Sequence, residues 1–347
     1  MPRTWVTMRE VAARAGVSQT LVSFYLTGRQ AVGAETARRI QAAIDELDYH
    51  PNGVARGLRL KRSSFVGVMV PSLLNPSFAI MATTAEAALT RGQLLALVCS
   101  TGEDPEHAHA YFEALRTSRA EGLIVFPSSA IADQIRAVAR RGTPVVLMER
   151  DMPGGHDAPL MDAVIADNAS GVRQATEHLL ALGHTRIGLL NLPAGSGSGE
   201  QRAEGYRQAF AAHGGALDPH LITWEPGTVQ AGHDAIRALM ELPDRPTAVV
   251  VAANRQTVGA LVAIRELGLE MPGDISVVGL GHPGFEFWPA IPLTVISHDA
   301  SAVGRMAAEL LLARVRGEEA GPSRTVTLPT QLQVRSSTGP PATPAST

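Results

Sequence analysis

The sequence predicts a small all-α N-terminal segment followed by a long α/β body of two doubly wound parallel-sheet subdomains. Two observations predict it. Over the first sixty or so residues the apolar positions recur only at helical spacing, between recognisable caps. From Phe65 onward, short apolar runs alternate with helical stretches that stop at a glycine, as strands joined by crossover helices do. A chain of 347 residues suits two or three domains, and its 45% hydrophobic content supplies real cores.

Thr7 and Glu10 read as an S/T-x-x-E capping box, in which each side chain satisfies a free backbone N–H of the other residue. A first helix is therefore expected from Met8 to about Ala15, with Val11, Ala12 and Ala15 inward and Gly16 as its stop. Ser18 caps a second helix, Gln19 to about Leu26, that buries Leu21, Val22 and Tyr25. Two short helices around a glycine-containing turn form a helix-turn-helix. A third helix from Glu35 to Leu47 carries Ala37, Ile40, Ile44 and Leu47 as its core stripe. Beyond it, a helix starting at Pro51-Asn52 contains Gly53 and Gly57, which cost roughly 2 kcal/mol against alanine. Such a helix is marginal until something docks on it.

In the body, strands are expected at Phe65–Val70, Leu94–Cys99, Leu123–Phe126 and Val145–Leu147. A second set is expected at Ala163–Ala166, Ile187–Leu190, Ala248–Ala252 and Ile275–Leu280. Gly92, Gly142, Gly183, Gly214 and Gly268 end the intervening helices. Two such sets predict facing lobes, with a ligand between them at the C-terminal ends of the strands.

Charge is unevenly spread. Residues 1–64 hold nine arginines and Lys61 against five acids, a net +5, while the remainder nets −8. A basic head on an acidic body fits a polyanion gripped at one end. No apolar run approaches the roughly eighteen residues of a membrane span, and the N-terminus has no apolar signal segment. With Cys99 as the sole cysteine, a cytoplasmic protein without disulfides is expected. The sequence lacks H-E-x-x-H, G-x-S-x-G and Walker motifs, so neither an enzyme nor a cofactor or metal site is expected. Gly195 to Gly199 reads as a flexible connection rather than a phosphate loop, since no lysine follows.

The stretch VTMREVAARAGVSQTLVSFYLTG followed by AIDELDYHPNGVARGLR resembles the headpiece and hinge of the LacI/GalR family of transcriptional regulators, and the likeness runs to about Thr338. The resemblance implies a repressor that binds a pseudopalindromic operator as a homodimer and answers to a small-molecule effector. It implies a headpiece at 1–50, a hinge at 51–63 and a body at 64–335 that is similar to periplasmic binding proteins. Within the body, one subdomain takes 64–163 and 296–322, and the other 165–292 and 324–335. The chain would cross between them near Ala163–Asp167, Ile291–Ser297 and Gly321–Thr327. The tail, 336–347, is expected to be disordered and, lacking leucine heptads, unable to tetramerise.

Residue by residue, the family pattern places Thr7, Ser18, Gln19, Thr20, Ser23 and Phe24 at duplex DNA, together with Asn52, Ala55, Arg56 and Leu58 of the hinge. Leu58 would be the minor-groove wedge. Phe24 departs from the family, standing where a polar base reader is common; it can touch a thymine methyl or pack in the headpiece. In the body, Phe78 belongs to the loop Asn75-Pro76-Ser77-Phe78 after the first strand, and Arg202 and Asn254 match ligand-facing positions. Arg255 replaces an aspartate, Gly281 and His282 replace two more, and Gly227 replaces a stacking aromatic. With Arg150 added, the cleft loses acids and gains bases, so an anionic or otherwise non-sugar effector is expected; the alternatives are an ordinary sugar held by other residues and no small-molecule effector at all. The alternative from another class is a solute-binding protein of a transport system, which explains the body but not the basic head.

Overall fold

The computed structural model describes residues 6–27, 30–49, 64–102, 104–152, 160–281 and 292–342. Two compact units divide the chain, Met1–Ser63 and Ser64–Thr347. The first contains α1 (Met8–Ala15), α2 (Gln19–Thr27) and α3 (Ala34–Glu46). The Thr7/Glu10 capping box is complete, and Gly16 ends α1 at φ 64°, in the left-handed region. Val11, Ala12, Ala15, Val22, Ile40, Ala43 and Tyr49 form one core. Leu21 stays half-exposed outside that core, against expectation: Val22 occupies the inward position of α2. The hinge at 51–63 lies outside the described residues.

The second unit is built on two six-stranded sheets. The first comprises β1 (Phe65–Val70), β2 (Leu95–Ser100), β3 (Leu123–Val125), β4 (Val145–Glu149), β5 (Met161–Ala166) and β11 (Thr325–Leu328), in the order β2-β1-β3-β4-β5-β11. The second comprises β6 (Ile187–Asn191), β7 (Ile222–Trp224), β8 (Ala248–Val251), β9 (Ser276–Leu280), β10 (Thr294–Ser297) and β12 (Gln331–Gln333), in the order β7-β6-β8-β9-β10-β12. Every pairing is parallel except β12 with β10. The inner strands of such sheets are buried on both faces, which is why they read as unbroken apolar runs; β4 and β5 are buried along their whole length, whereas the edge strand β2 leaves Leu95 and Leu97 exposed.

Crossover helices cover the sheets: α4 (Pro76–Arg91), α5 (Pro105–Thr117) and α6 (Ala132–Arg140) in the first lobe, and α7 (Asn168–Ala181), α8 (Gly197–His213), α9 (Val229–Met240) and α10 (Asn254–Glu266) in the second. The last helix, α11 (Ala300–Arg316), returns to the first lobe and packs Val303, Ala307 and Leu311 into the core of Met81 and Leu89. Gly304 permits the close crossing of α11 and α4, since a Cβ there would lie 2.2 Å from the Met81 carbonyl oxygen. At the end of α4 it is Gln93, at φ 64°, that takes the left-handed turn expected of Gly92.

Three expectations are corrected. Thr294–Ser297 pairs with β9, so the second crossing falls at His298–Asp299. Thr325–Leu328 pairs with β5 and Gln331–Gln333 with β10, so the third falls between Leu328 and Gln331. The tail from Ser336 is not disordered as far as Ala342. Ser337 is fully buried: its hydroxyl donates to the Val277 carbonyl (2.7 Å) and accepts from the Thr294 N–H (2.8 Å). Thr338 meets His178 (2.9 Å), and the Gly339 carbonyl meets Nε2 of His184 (2.8 Å). Composition misled here because a Ser/Thr-rich strip can satisfy buried backbone groups that an apolar strip cannot.

Asp162 of β5 is fully buried and takes Arg314 of α11 (2.8 and 3.1 Å) and Arg324, by side chain (3.0 Å) and N–H (2.9 Å). Although burial disfavours its charge, these arginines hold the carboxyl below its ordinary value. The cluster fastens the last helix and the start of β11 to the first sheet.

Ser337→Ala should destabilise the protein by about 1–3 kcal/mol, because it strands the Thr294 N–H in the interior. Urea denaturation measures this; a midpoint matching the unaltered chain would contradict the burial of the C-terminal strip.

Candidate functional site

Two groups of residues carry the chemistry. In the headpiece, Thr7 donates its hydroxyl to Glu10 (2.7 Å), and Ser18 accepts the N–H of Leu21 (3.2 Å). Both fix helix starts. Gln19 and Thr20 follow on the first turn of α2 and are exposed, while Ser23 and Phe24 are half-buried one turn on. A Tyr25 hydroxyl bond to Gln41 (2.8 Å) and a paired Arg14–Glu46 (2.9 and 2.7 Å) brace α2 and α1 against α3. The helix bearing Gln19 and Thr20 is thus held by capping and by packing of its opposite side. Asn52, Ala55, Arg56 and Leu58 lie outside the described residues.

In the body, the C-terminal ends of strands from both lobes meet. Asn75 caps α4 by accepting the Ser77 N–H (3.1 Å), with Pro76 in its first turn, so Asn75 to Phe78 is a helix start rather than a loop. Gly197 to Gly199 likewise belongs to α8, capped by Ser196, and is not a flexible connection. Phe78 packs tilted against Phe126, ring centroids 4.6 Å apart. Ser77 accepts a hydrogen bond from Asn254 Nδ2 (3.0 Å), both residues buried, which joins the first turns of α4 and α10 across the lobes.

Arg202 lies one turn inside α8 and is buried. Its Nε donates to Asn168 Oδ1 (2.9 Å) and its Nη1 to the Ala252 carbonyl just past β8 (2.6 Å). Burial lowers its pKa to about 10, with the Glu149 carboxylate opposing. It stays protonated at neutral pH. Gln256 donates to the carbonyls of Asn191, Glu225 and Pro226 (3.1 Å each), and Asn191 to that of Gly199 (2.9 Å), which ties the loops around α8 together.

Glu149 and His298 were not among the expected site residues. Glu149 ends β4, buried, at φ 67°; a non-glycine residue there costs about 1–3 kcal/mol of strain. Its Oε2 lies 3.2 Å from Nε2 of His298 on the second crossing, in an alignment that gives neither atom a hydrogen bond. Burial would raise the Glu149 pKa, but His298, Arg202 and Arg150 hold it low; burial would lower that of His298, but Glu149 holds it high. Each group therefore favours the charged form of the other. The expectation of a cleft stripped of carboxylates is corrected accordingly: one acid sits among Arg150, Arg202 and His298. The signal was a glutamate closing the apolar run Val145 to Met148, two residues beyond the predicted strand end. Arg255 is exposed beside the buried Asn254, and His282 lies outside the described residues. Among the described residues no cluster of His, Cys, Asp and Glu could hold a metal, and no helix is long and apolar enough to cross a membrane.

His298→Gln should lose stability at about pH 7, and the gap to the unaltered chain should narrow by about pH 9. The raised imidazole contributes fully below its ordinary 6.5, and that contribution is lost as pH rises through the folded value. Urea melts at both pH values read the gap; a constant gap would contradict a charged pair.

Comparison with known proteins gives these features a context. Residues 7–52 match the family model for bacterial regulatory proteins of the lacI family, and residues 176–338 match a periplasmic binding protein-like domain. The HTH-type transcriptional regulator PtxS of Pseudomonas aeruginosa is 36% identical over 342 residues, 96% of each chain. The HTH-type transcriptional repressor PurR of Aliivibrio salmonicida is 28% identical over 89% of this chain and 92% of that one. Among solved structures, the Lac repressor dimer bound to operator and the anti-inducer ONPF superposes with a TM-score of 0.81 at 27% identity, covering 97% of this chain and all of that one. The transcriptional regulator CelR in complex with cellobiose gives 0.71 at 28% identity, over 96% and 99% of the two chains. These relatives regulate transcription and are not enzymes. A capped helix-turn-helix ahead of a two-lobed binding body, with likeness across nearly its whole length, makes this chain a DNA-binding transcriptional regulator of the lacI family.

Proposed function

We propose that the protein is a cytoplasmic repressor that binds a pseudopalindromic operator as a homodimer, with a small-molecule effector in the interlobe cleft setting operator affinity. The observation that carries the DNA half is the exposed pair Gln19 and Thr20 on a rigidly capped α2, within the unit that concentrates positive charge. In this reading Thr7, Ser18 and Ser23 contact the backbone or flanking base edges, and Gln19, Thr20 and Phe24 read bases in the major groove. Ala55 and Leu58 enter the minor groove, with Leu58 wedged between base pairs, and Asn52 and Arg56 contact phosphates or the minor groove. A two-fold dimer suits a two-fold site.

The effector half rests on buried polar groups gathered where the lobes meet. Phe78, Arg150, Arg202 and Asn254 line the site with Glu149 and His298. Arg255 stands at its margin, and His282 joins them on its place in the sequence motif. Cations outnumber carboxylates among these residues, which favours an anion over a neutral sugar. A ligand that prefers one lobe orientation shifts the hinge segments, and a hinge helix weakened by Gly53 and Gly57 converts that shift into a change of operator affinity. Such coupling is worth about 1–3 kcal/mol.

Affinity for a palindromic duplex should fall roughly a thousandfold or more between about 50 and 200 mM salt. Absence of any salt-sensitive preference among randomised palindromes would overturn the reading. Phe24→Arg should move the preferred half-site toward guanine at one position in the same selection, and an unchanged preference would remove Phe24 from the base readers.

A further inference from the structure

The Glu149–His298 pair carries an inference about what the cleft takes, one that rests on the effector reading above. Each member has a buried polar atom, Oε2 and Nε2, that lacks a hydrogen bond although the two atoms are only 3.2 Å apart. Buried polar atoms in native proteins nearly always have partners. Here the fold also holds Glu149 in a left-handed backbone conformation to place its carboxylate at this point. Neighbouring charges do not supply the missing partner. Arg202 turns Nε to Asn168 and Nη1 to the Ala252 carbonyl, and Asp299 turns a carboxylate oxygen to the Ala302 N–H at the start of α11.

The chemistry of the two atoms narrows what can complete them. A carboxylate accepts and a protonated imidazole nitrogen donates. A single hydroxyl serves both, donating to Glu149 and accepting from His298. A second carboxylate brought against Glu149 would meet like charge in a buried site, and an apolar group would satisfy neither atom. At the same time the basic side chains Arg150, Arg202 and His298 exceed the acidic Glu149 and Asp299 in number, which favours an acidic group on the ligand over a neutral polyol. We propose that the effector is a hydroxylated organic anion, its acidic group facing Arg202 and Arg150 and one hydroxyl bridging Glu149 and His298.

Matched triads test this by thermal shift and calorimetry on the full chain: gluconate, glucose and hexanoate; galactonate, galactose and hexanoate; glycerate, glycerol and propionate. At least one hydroxy acid should bind roughly tenfold or more tighter than both of its counterparts, which lack either the charge or the hydroxyls. Glu149→Gln and His298→Gln should each cut that hydroxy-acid advantage while leaving hexanoate or propionate binding unchanged or stronger. A variant that merely loosened the fold would weaken all ligands together and would overturn the assignment. So would a neutral sugar or a hydroxyl-free acid binding as well as the hydroxy acid, or no hydroxy acid binding at all. Operator binding measured in parallel separates the two levels of failure. If neutral sugars release or tighten DNA, the cleft is an effector site of another class. If no compound of any class changes melting or DNA affinity, the effector reading falls with the proposal, while salt-sensitive DNA binding stands by itself.

Discussion

Neither sheet of the body can be completed by neighbouring sequence, and this constraint shapes the rest of the molecule. The edge strand beside β5 is β11, and the edge strand beside β10 is β12, so the chain must change lobes three times. Those crossings lie against one another. Asp167 N–H donates to the Leu328 carbonyl (2.9 Å), and Thr330 donates its hydroxyl to the Asp167 carbonyl (2.8 Å). Three adjoining strands allow the lobes a defined rotation and little else. The cleft residues follow from this arrangement. Asn168, which orients Arg202, begins the helix after the first crossing, and His298 sits on the second. A change in lobe orientation is therefore felt at once by the groups that would hold a ligand.

The buried charges are arranged to make that coupling sharp. An isolated ion in the interior is costly, and a pair is tolerated only when geometry and further hydrogen bonds compensate it. Asp162 meets that condition fully, through two arginines and a backbone N–H, and its role is to anchor. Glu149 does not meet it, since its partner across 3.2 Å is misaligned. The same kind of pair thus serves two ends, rigid where the last helix docks and incompletely bonded where the lobes face.

What could be read from the sequence was what depends on near neighbours. The Thr7–Glu10 capping box, the Gly16 stop and the run Phe65–Val70 are settled within a few residues, and their bounds emerge intact. Arg202 and Asn254 were singled out because the family motif fixes them. The misses share one cause. β10, β11 and β12 are short, and which lobe owns them is decided by pairing partners far away in sequence, such as Ala163 with Thr325. Glu149 looked like a loop residue because the pattern of β4 was cut short of its end, and Ser337 looked like tail because its partners, Val277 and Thr294, are remote.

Dependence on distant strands also orders events in time. A ribosome emits the three headpiece helices first, and their core is drawn wholly from Val6 to Tyr49, so nothing downstream is needed to close it. The two sheets of the body, by contrast, lack their last strands until Leu328 and Gln333, respectively, have been polymerised. The growing polypeptide therefore carries a finished nucleic-acid-binding module ahead of an unfinished sensor, whose unpaired strand edges are open to mispairing during translation.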